Sequence, residues 1–250
     1  MRAVATRRVP PWQLATGLSS VVVACLIIAL AALETVTVPF LVAAGVVLVV
    51  QSTVFVVANR QAVREAGTQR FTPATGITIA RSAAVVALAG FLTVPEPEGV
   101  LAWLPALLFG AVSLFDTVDG ALARATDAVT AFGSRIDAEM DALALLVGIL
   151  VAIRYDVAPA YYVLIGGARY GFVAGVAWRR RHGRPVRDLP TRTIRRGLGA
   201  LQMVVVFLIL SPVLGPDISV VVATVAMIPT LLWFLRDWLV VSHRFDPRPG

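Results

Sequence analysis

Long apolar runs separated by short polar breaks dominate the chain. Eight can be read, at roughly 17–33, 39–58, 76–94, 100–123, 136–153, 159–178, 197–213 and 218–240. Most reach the about 20 residues that a helix needs to cross a bilayer core. Pro39, the run Pro95-Glu96-Pro97-Glu98-Gly99, Pro159 and the stretch from Pro212 to Pro216 fall at segment edges, where a helix must start or stop. No period-two alternation competes with this pattern, so the predicted fold is all-α, a polytopic transmembrane helical bundle.

Composition agrees. Of 250 residues 58% are hydrophobic and 15% charged, and the mean hydropathy of +0.82 excludes an ordinary soluble domain. The 22 basic residues against 15 acids are all arginine. Their placement is lopsided. One set of connections holds Arg2, Arg7 and Arg8, then Arg60, Arg64 and Arg70, then Arg135, eight arginines from Arg179 to Arg196, and Arg244 and Arg248; the opposite set holds Arg154. Basic loops stay in the cytoplasm, so a multi-pass cell-membrane protein with both termini cytoplasmic is expected. Arg2, Arg7 and Arg8 before an apolar stretch also resemble a secretory signal, but the run that follows is longer than the roughly 7 to 15 residues of a signal core. The polar stretch from Asn59 to Thr72 reads as a basic connector able to lie along the membrane surface.

Charge inside this apolar frame is the main chemical clue. An ionisable group at membrane depth costs on the order of 2.5–3.5 kcal/mol on insertion scales, yet Asp116, Asp119, Asp137 and Asp141 cluster at the join of the fourth and fifth segments. By the arginine pattern that join is cytoplasmic. Asp116 and Asp119 are three apart and Asp137 and Asp141 four apart, so each pair shares a helix face. Gly133 extends the second stripe, and Gly120 and Ala123 extend the first, which lets two helices approach closely. Hard oxygen ligands of this kind suit Mg²⁺ or Mn²⁺, and no histidine or cysteine is near enough to favour zinc. A pair of divalent ions about 3.5–4 Å apart can clamp a displacement at phosphorus. Gly120, Ala123 and Gly133 leave room for a nucleotide against backbone, and Arg124 offers a planar fork to a phosphate.

The full spacing, Asp116-x2-Asp119-Gly120-x2-Ala123-Arg124-x8-Gly133-x3-Asp137-x3-Asp141, resembles the signature of the CDP-alcohol phosphotransferase family without gap or substitution. Thr72-Pro73-Ala74, followed by Thr78 and Arg81, looks like the family's motif at the opening of its first core helix, with Ala74 where asparagine is common. The resemblance covers about 72–240. It implies a six-helix core over 72–240, preceded by two additional transmembrane helices and a basic connector over 1–71 and followed by a tail over 241–250. It also implies a phospholipid synthase that transfers a phosphatidyl-type or archaetidyl-type group from a CDP-linked lipid to the hydroxyl of a small alcohol, releasing CMP. In that reading Asp116, Asp119 and Asp137 bind the metals, and Asp141 completes the site and acts as general base. Gly120, Ala123, Arg124, Gly133 and Thr78 hold the CDP moiety. A homodimer is expected from the resemblance alone.

The acceptor is open. Glycerol 3-phosphate is the leading candidate, and inositol phosphate, serine or phosphatidylglycerol would use the same acids. Arg81 and Arg169 sit inside apolar segments, where a cation needs a partner. Each is read either as contacting the acceptor's phosphate or as a salt bridge or headgroup-snorkelling residue. A membrane prenyltransferase and a cation-binding transporter are the competing classes, the first lacking a reason for the Gly-Ala-Arg spacing and the second for acids gathered toward one face. The arginine run from Arg179 has no interleaved aromatic platform, so no nucleic acid partner is expected. Cys25 is the single cysteine, which excludes an intramolecular disulfide. Trp103, Trp178, Trp233 and Trp238 lie near segment ends, as interface anchors do.

Overall fold

A computed structural model of the chain describes residues 10–67, 71–112, 130–187, 189 and 193–242, without the side chains of Ala74 and Thr193. Among these residues every regular element is helical: α1 (Pro11–Ala31), α2 (Val38–Ala66), α3 (Pro73–Gly90), α4 (described over 104–112), α5 (Ala131–Arg154), α6 (Val163–Arg181), α7 (Thr193–Leu210) and α8 (Pro216–Val241). Short 3₁₀ turns at Gly99–Trp103 and Ala160–Tyr162 lead into α4 and α6. The starts follow local chemistry. Proline occupies the first turn of α1, α2, α3 and α8, where its missing N–H costs nothing. Thr37 and Thr72 cap α2 and α3, accepting from Phe40 N at 3.3 Å and Thr75 N at 3.2 Å.

Helices α1, α2 and α8 are each long and apolar enough to cross a membrane. They leave large apolar side chains on the outside, among them Val21 and Ile28, Val42 and Val49, and Val225 and Leu232. In water such faces would be a liability; in lipid they are the expected surface. Helix α3 is short, at 18 residues, and α5, α6 and α7 carry the ionisable residues already noted.

The polar stretch after Asn59 is not a separate surface segment. Helix α2 continues without a break to Ala66 and ends at Gly67, whose φ of 72° suits glycine. Gln61, Ala62, Arg64, Glu65 and Ala66 are good helix formers with no breaker among them, and Asn59 and Ala62 are buried.

The residues divide into two compact units. The first takes the chain up to Pro95 together with Leu107–Ala144, and in it α1 and α2 both pack on α3 and on each other. Helix α3 is therefore the centre of that unit, with Ala83, Val85, Val86, Ala87, Leu88 and Ala89 fully buried. Gln51 Nε2 donates to Ser19 Oγ at 2.5 Å and ties α2 to α1 by a buried hydrogen bond, a common cross-link between helices in lipid. At the far end Phe40 lies over Gly90, meets Phe91 edge-to-face at 5.5 Å, and is fully buried.

The second unit takes Glu96–Ala106 and the chain from Leu145 onward, and in it α8 packs on α6 and α7. Gly166 brings α6 against α5, since a Cβ there would fall 3.0 Å from Leu146 Cα. A buried polar chain crosses the unit: Tyr162 OH donates to Gln202 Oε1 at 2.5 Å, and Gln202 Nε2 donates to Ala226 O and Thr230 Oγ1, each at 2.8 Å. Asp237, buried on α8, accepts from Arg195 of α7 at 3.0 Å. Trp238, expected at an interface, lays its ring on Gly175 and against Phe172.

Gly90→Ala tests the packing of the first unit. The added methyl would meet the Phe40 ring at 2.3–2.4 Å, and overpacking a rigid core costs about 1–3 kcal/mol. Thermal unfolding in detergent should shift down by the corresponding amount, and Phe40→Leu in the same chain should restore part of it.

Candidate active site

The described part of the site is assembled by the first turns of α3 and α5. Thr130 caps α5, its Oγ1 accepting from Gly133 N at 3.0 Å. Thr75, the third residue of α3, shares a hydrogen bond with Thr72 through their hydroxyls at 2.9 Å. Gly133 sits between these two threonines: a Cβ there would stand 3.1 Å from both Thr75 Oγ1 and Thr130 Oγ1. Absence of a side chain thus lets the start of α5 approach the start of α3.

One and two turns beyond Gly133, Asp137 and Asp141 turn their carboxylates toward α3, each about a third exposed. The adjacent stripe of α5, Phe132, Ile136, Met140 and Ala144, is fully buried. That stripe fixes the helix rotation, and the rotation sets where the acids point.

Between the two acids lies Arg81. Its side chain is 1% exposed, and it reaches three groups. Nη1 donates to Val112 O of α4 at 2.8 Å and to Asp141 Oδ1 at 3.0 Å, while Nη2 donates to Asp137 Oδ1. A guanidinium is the one side chain with a rigid fork of donors able to bridge two carboxylates and a carbonyl at once. Buried without partners it would be prohibitively costly; paired in this way its two Nη groups are satisfied on two helices besides its own. Two carboxylates against one cation leave a local surplus of one negative charge.

Arg135, two residues before Asp137, leaves α5 in a different direction. Its Nη1 donates to Gln61 Oε1 at 3.0 Å and its Nη2 to Glu65, both on the last turns of α2.

The chemistry of the donor set fits a divalent cation. Two carboxylates stand one turn apart beside a close-packed glycine, with no histidine or cysteine gathered with them among the described residues, and hard oxygen donors are what Mg²⁺ and Mn²⁺ prefer. A carboxylate accepts about four hydrogen bonds or ligands, so contact with Arg81 does not exhaust it. Among the described residues the acids form a pair and no group of three metal-ligating side chains gathers. Asp116, Asp119, Gly120, Ala123 and Arg124 lie outside the described residues. Thr78 is buried on α3, one turn before Arg81. Arg169 is half-buried on α6, in the second unit.

Three participants were not singled out from the sequence. Thr75 and Thr130 carry the signal of hydroxyl residues at helix starts, which says that they cap and not that they face one another. Val112 O enters through its backbone, which no side-chain motif reports.

A search of the curated proteins finds no match to this chain. The sequence model of one family does match, over residues 71–239, a span that begins at the approach to α3, includes Arg81, Gly133, Asp137 and Asp141, and ends within α8. The match covers more than half of the chain, so the protein belongs to the CDP-alcohol phosphatidyltransferase family.

Proposed function

We infer from this membership that the chain acts as a membrane transferase on a CDP-alcohol in phospholipid head-group synthesis. We propose that it moves a phosphatidyl-type group from a CDP-linked lipid to the hydroxyl of a small alcohol, glycerol 3-phosphate being the leading acceptor. The observation that carries the reading is the clasp of Arg81 on Asp137 and Asp141 beside Gly133. It supports an acidic face on α5 held in a fixed orientation, where an oxygen-liking cation and a diphosphate can meet. Serine, inositol phosphate or phosphatidylglycerol as acceptor would use the same face.

Asp137 and Asp141, with Asp116 and Asp119, are the residues we assign to a pair of Mg²⁺ or Mn²⁺ ions, which would neutralise the diphosphate and the leaving phosphate. Asp141 takes the proton of the attacking hydroxyl, since a base must lie within hydrogen-bond reach of the oxygen it activates. The alcohol oxygen then forms a bond to the phosphorus that bears the lipid. The bond from that phosphorus to the oxygen of CMP breaks, and CMP departs with the electron pair. Gly120, Ala123, Arg124, Gly133 and Thr78 are assigned to the CDP moiety.

Arg81 we read as a positioning residue. Its fork is committed to the two acids and to Val112 O, which favours the salt-bridge reading over contact with the acceptor. Arg169 keeps both readings, contact with the acceptor's phosphate or a structural ion pair.

The cytoplasmic orientation of the site draws support from the first unit. The C-terminal end of α2, with Arg60 and Arg64, meets the N-terminal turn of α5 at Arg135, a contact compatible with the arginine pattern's assignment of both ends to one side of the membrane.

Purified protein incubated with labelled CDP-diacylglycerol, Mg²⁺ and a panel of alcohols tests the reading. CMP and one new lipid should appear with a particular acceptor and stop with EDTA; no CMP with any acceptor overturns it. Asp141→Asn should lower turnover by about 10²–10⁴-fold, the usual contribution of a general base, with the fold intact by circular dichroism. Arg169→Ala should raise the KM for a phosphate-bearing acceptor more than the KM for the CDP-lipid; equal shifts would remove it from the acceptor site. Arg81→Gln strands two carboxylates. It should cost about 3 kcal/mol of stability, the lower end for breaking a buried pair because both acids are partly exposed, while Arg81→Lys should recover part of the loss.

A further inference from the structure

Helices α1 and α2 precede the matched span of 71–239, and the reaction just proposed assigns them no part. We infer that the α1–α2 hairpin is a positioning element for the acidic face of α5, acting through the contact of Arg135 with Gln61 and Glu65. The inference rests on the reading of Asp137 and Asp141 as cation ligands.

Helix α2 is 29 residues long, about 43 Å at 1.5 Å per residue, well beyond the about 30 Å of a bilayer core. Its surplus is the polar end from Asn59 to Ala66. Gln61 and Glu65 are one turn apart on that end, and both accept from the two Nη atoms of a single guanidinium on α5. At about 100° per residue, Arg135 stands roughly 200° around α5 from Asp137. Helix α5 is therefore gripped on two sides near its start, by Arg81 of α3 on the acidic stripe and by α2 on another. A single grip would leave rotation about the helix axis opposed at one point; two grips on different sides oppose it in both senses.

The hairpin is itself anchored where the grip needs it. Helices α1 and α2 pack on α3, Gln51 locks α2 to Ser19 of α1, and Phe40 seats the other end of α2 on Gly90. A displacement of α2's polar end would thus be resisted by the same helix that carries Arg81.

Electrostatics and positioning predict opposite signs for one variant. Removing the Arg135 cation beside a cation site should by charge alone tighten metal binding. If Arg135 orients the acids, Arg135→Ala should weaken it. Binding of Mn²⁺ to the purified full-length protein in detergent, followed by the loss of the free-ion EPR signal, reads this directly and needs no turnover. Arg135→Ala should raise the apparent Kd about three- to fivefold, Gln61→Ala/Glu65→Ala should do the same, and the triple variant should be no weaker than either, since all three remove one contact. Thermal stability should stay near wild type, because an exposed ion pair contributes little to folding. Unchanged or tighter binding in Arg135→Ala overturns the inference. Additive effects in the triple variant overturn it too, as does a loss of stability that parallels the loss of affinity. A wild-type chain whose Mn²⁺ binding is absent, or indifferent to Asp137→Asn/Asp141→Asn, removes the cation-ligand reading itself and this one with it.

Discussion

A guanidinium shared by two carboxylates in an apolar bundle is the constraint around which the first unit is arranged. Arg81 lies on the most buried helix of that unit, and no charge can stay there unpaired. Its partners must come from elsewhere, and the geometry of one fork decides where: Asp137 and Asp141 from α5, and a carbonyl from the described end of α4. The pairing is not a source of large net stability, since desolvation offsets much of the attraction. Its effect is on uniqueness. An α5 rotated or shifted by one residue would leave either the cation or the acids without counter-charge, so the register of three helices is specified together.

The small residues fit the same constraint. Gly133 permits α5 to come within reach of α3 at the threonine caps. Without that approach the acids one and two turns on would stand too far from Arg81 for direct hydrogen bonds. The motif glycine thus has a packing reason in this structure, whatever it also offers to a nucleotide. Further along α3, Gly90 plays the equivalent part for Phe40. Helix α3 is approached closely at both ends, and lipid-exposed valines on α2 lie on faces that none of these contacts require.

Among the described residues, helix order and approximate ends were readable from the sequence, because they depend on signals with a short range: apolar runs, proline at first turns, threonine caps. Errors arose where a polar sequence could follow either of two courses. The stretch after Asn59 has the composition of a surface connector, but helix formers continue to Gly67, and tertiary partners on α5 give its polar side chains a destination. The acidic stripe was legible from its spacing, since four residues apart is one face of a helix. Arg81 was legible as a cation needing a partner, though not as to which. Nothing local distinguishes a carboxylate 56 residues away from a lipid phosphate. Trp238 shows the same limit: its place near a helix end suits an interface, while its packing on Gly175 depends on α6.

The relation between the matched span and the leading hairpin follows from these contacts. An acidic stripe on a helix packed within an apolar bundle has few ways to be held, because van der Waals packing between apolar helices tolerates sliding and rotation more readily than a set of directed hydrogen bonds does. Directed bonds require polar groups, and polar groups are cheap only at the ends of spans. Arg81 meets this with a buried cation and three acceptors. Arg135 meets it at the exposed polar end of α2, where Gln61 and Glu65 need not be fully desolvated. The extension of α2 beyond its apolar run is the feature that makes the second solution reachable: a helix ending near Ala58 would satisfy every requirement of membrane crossing and leave Arg135 with neither acceptor.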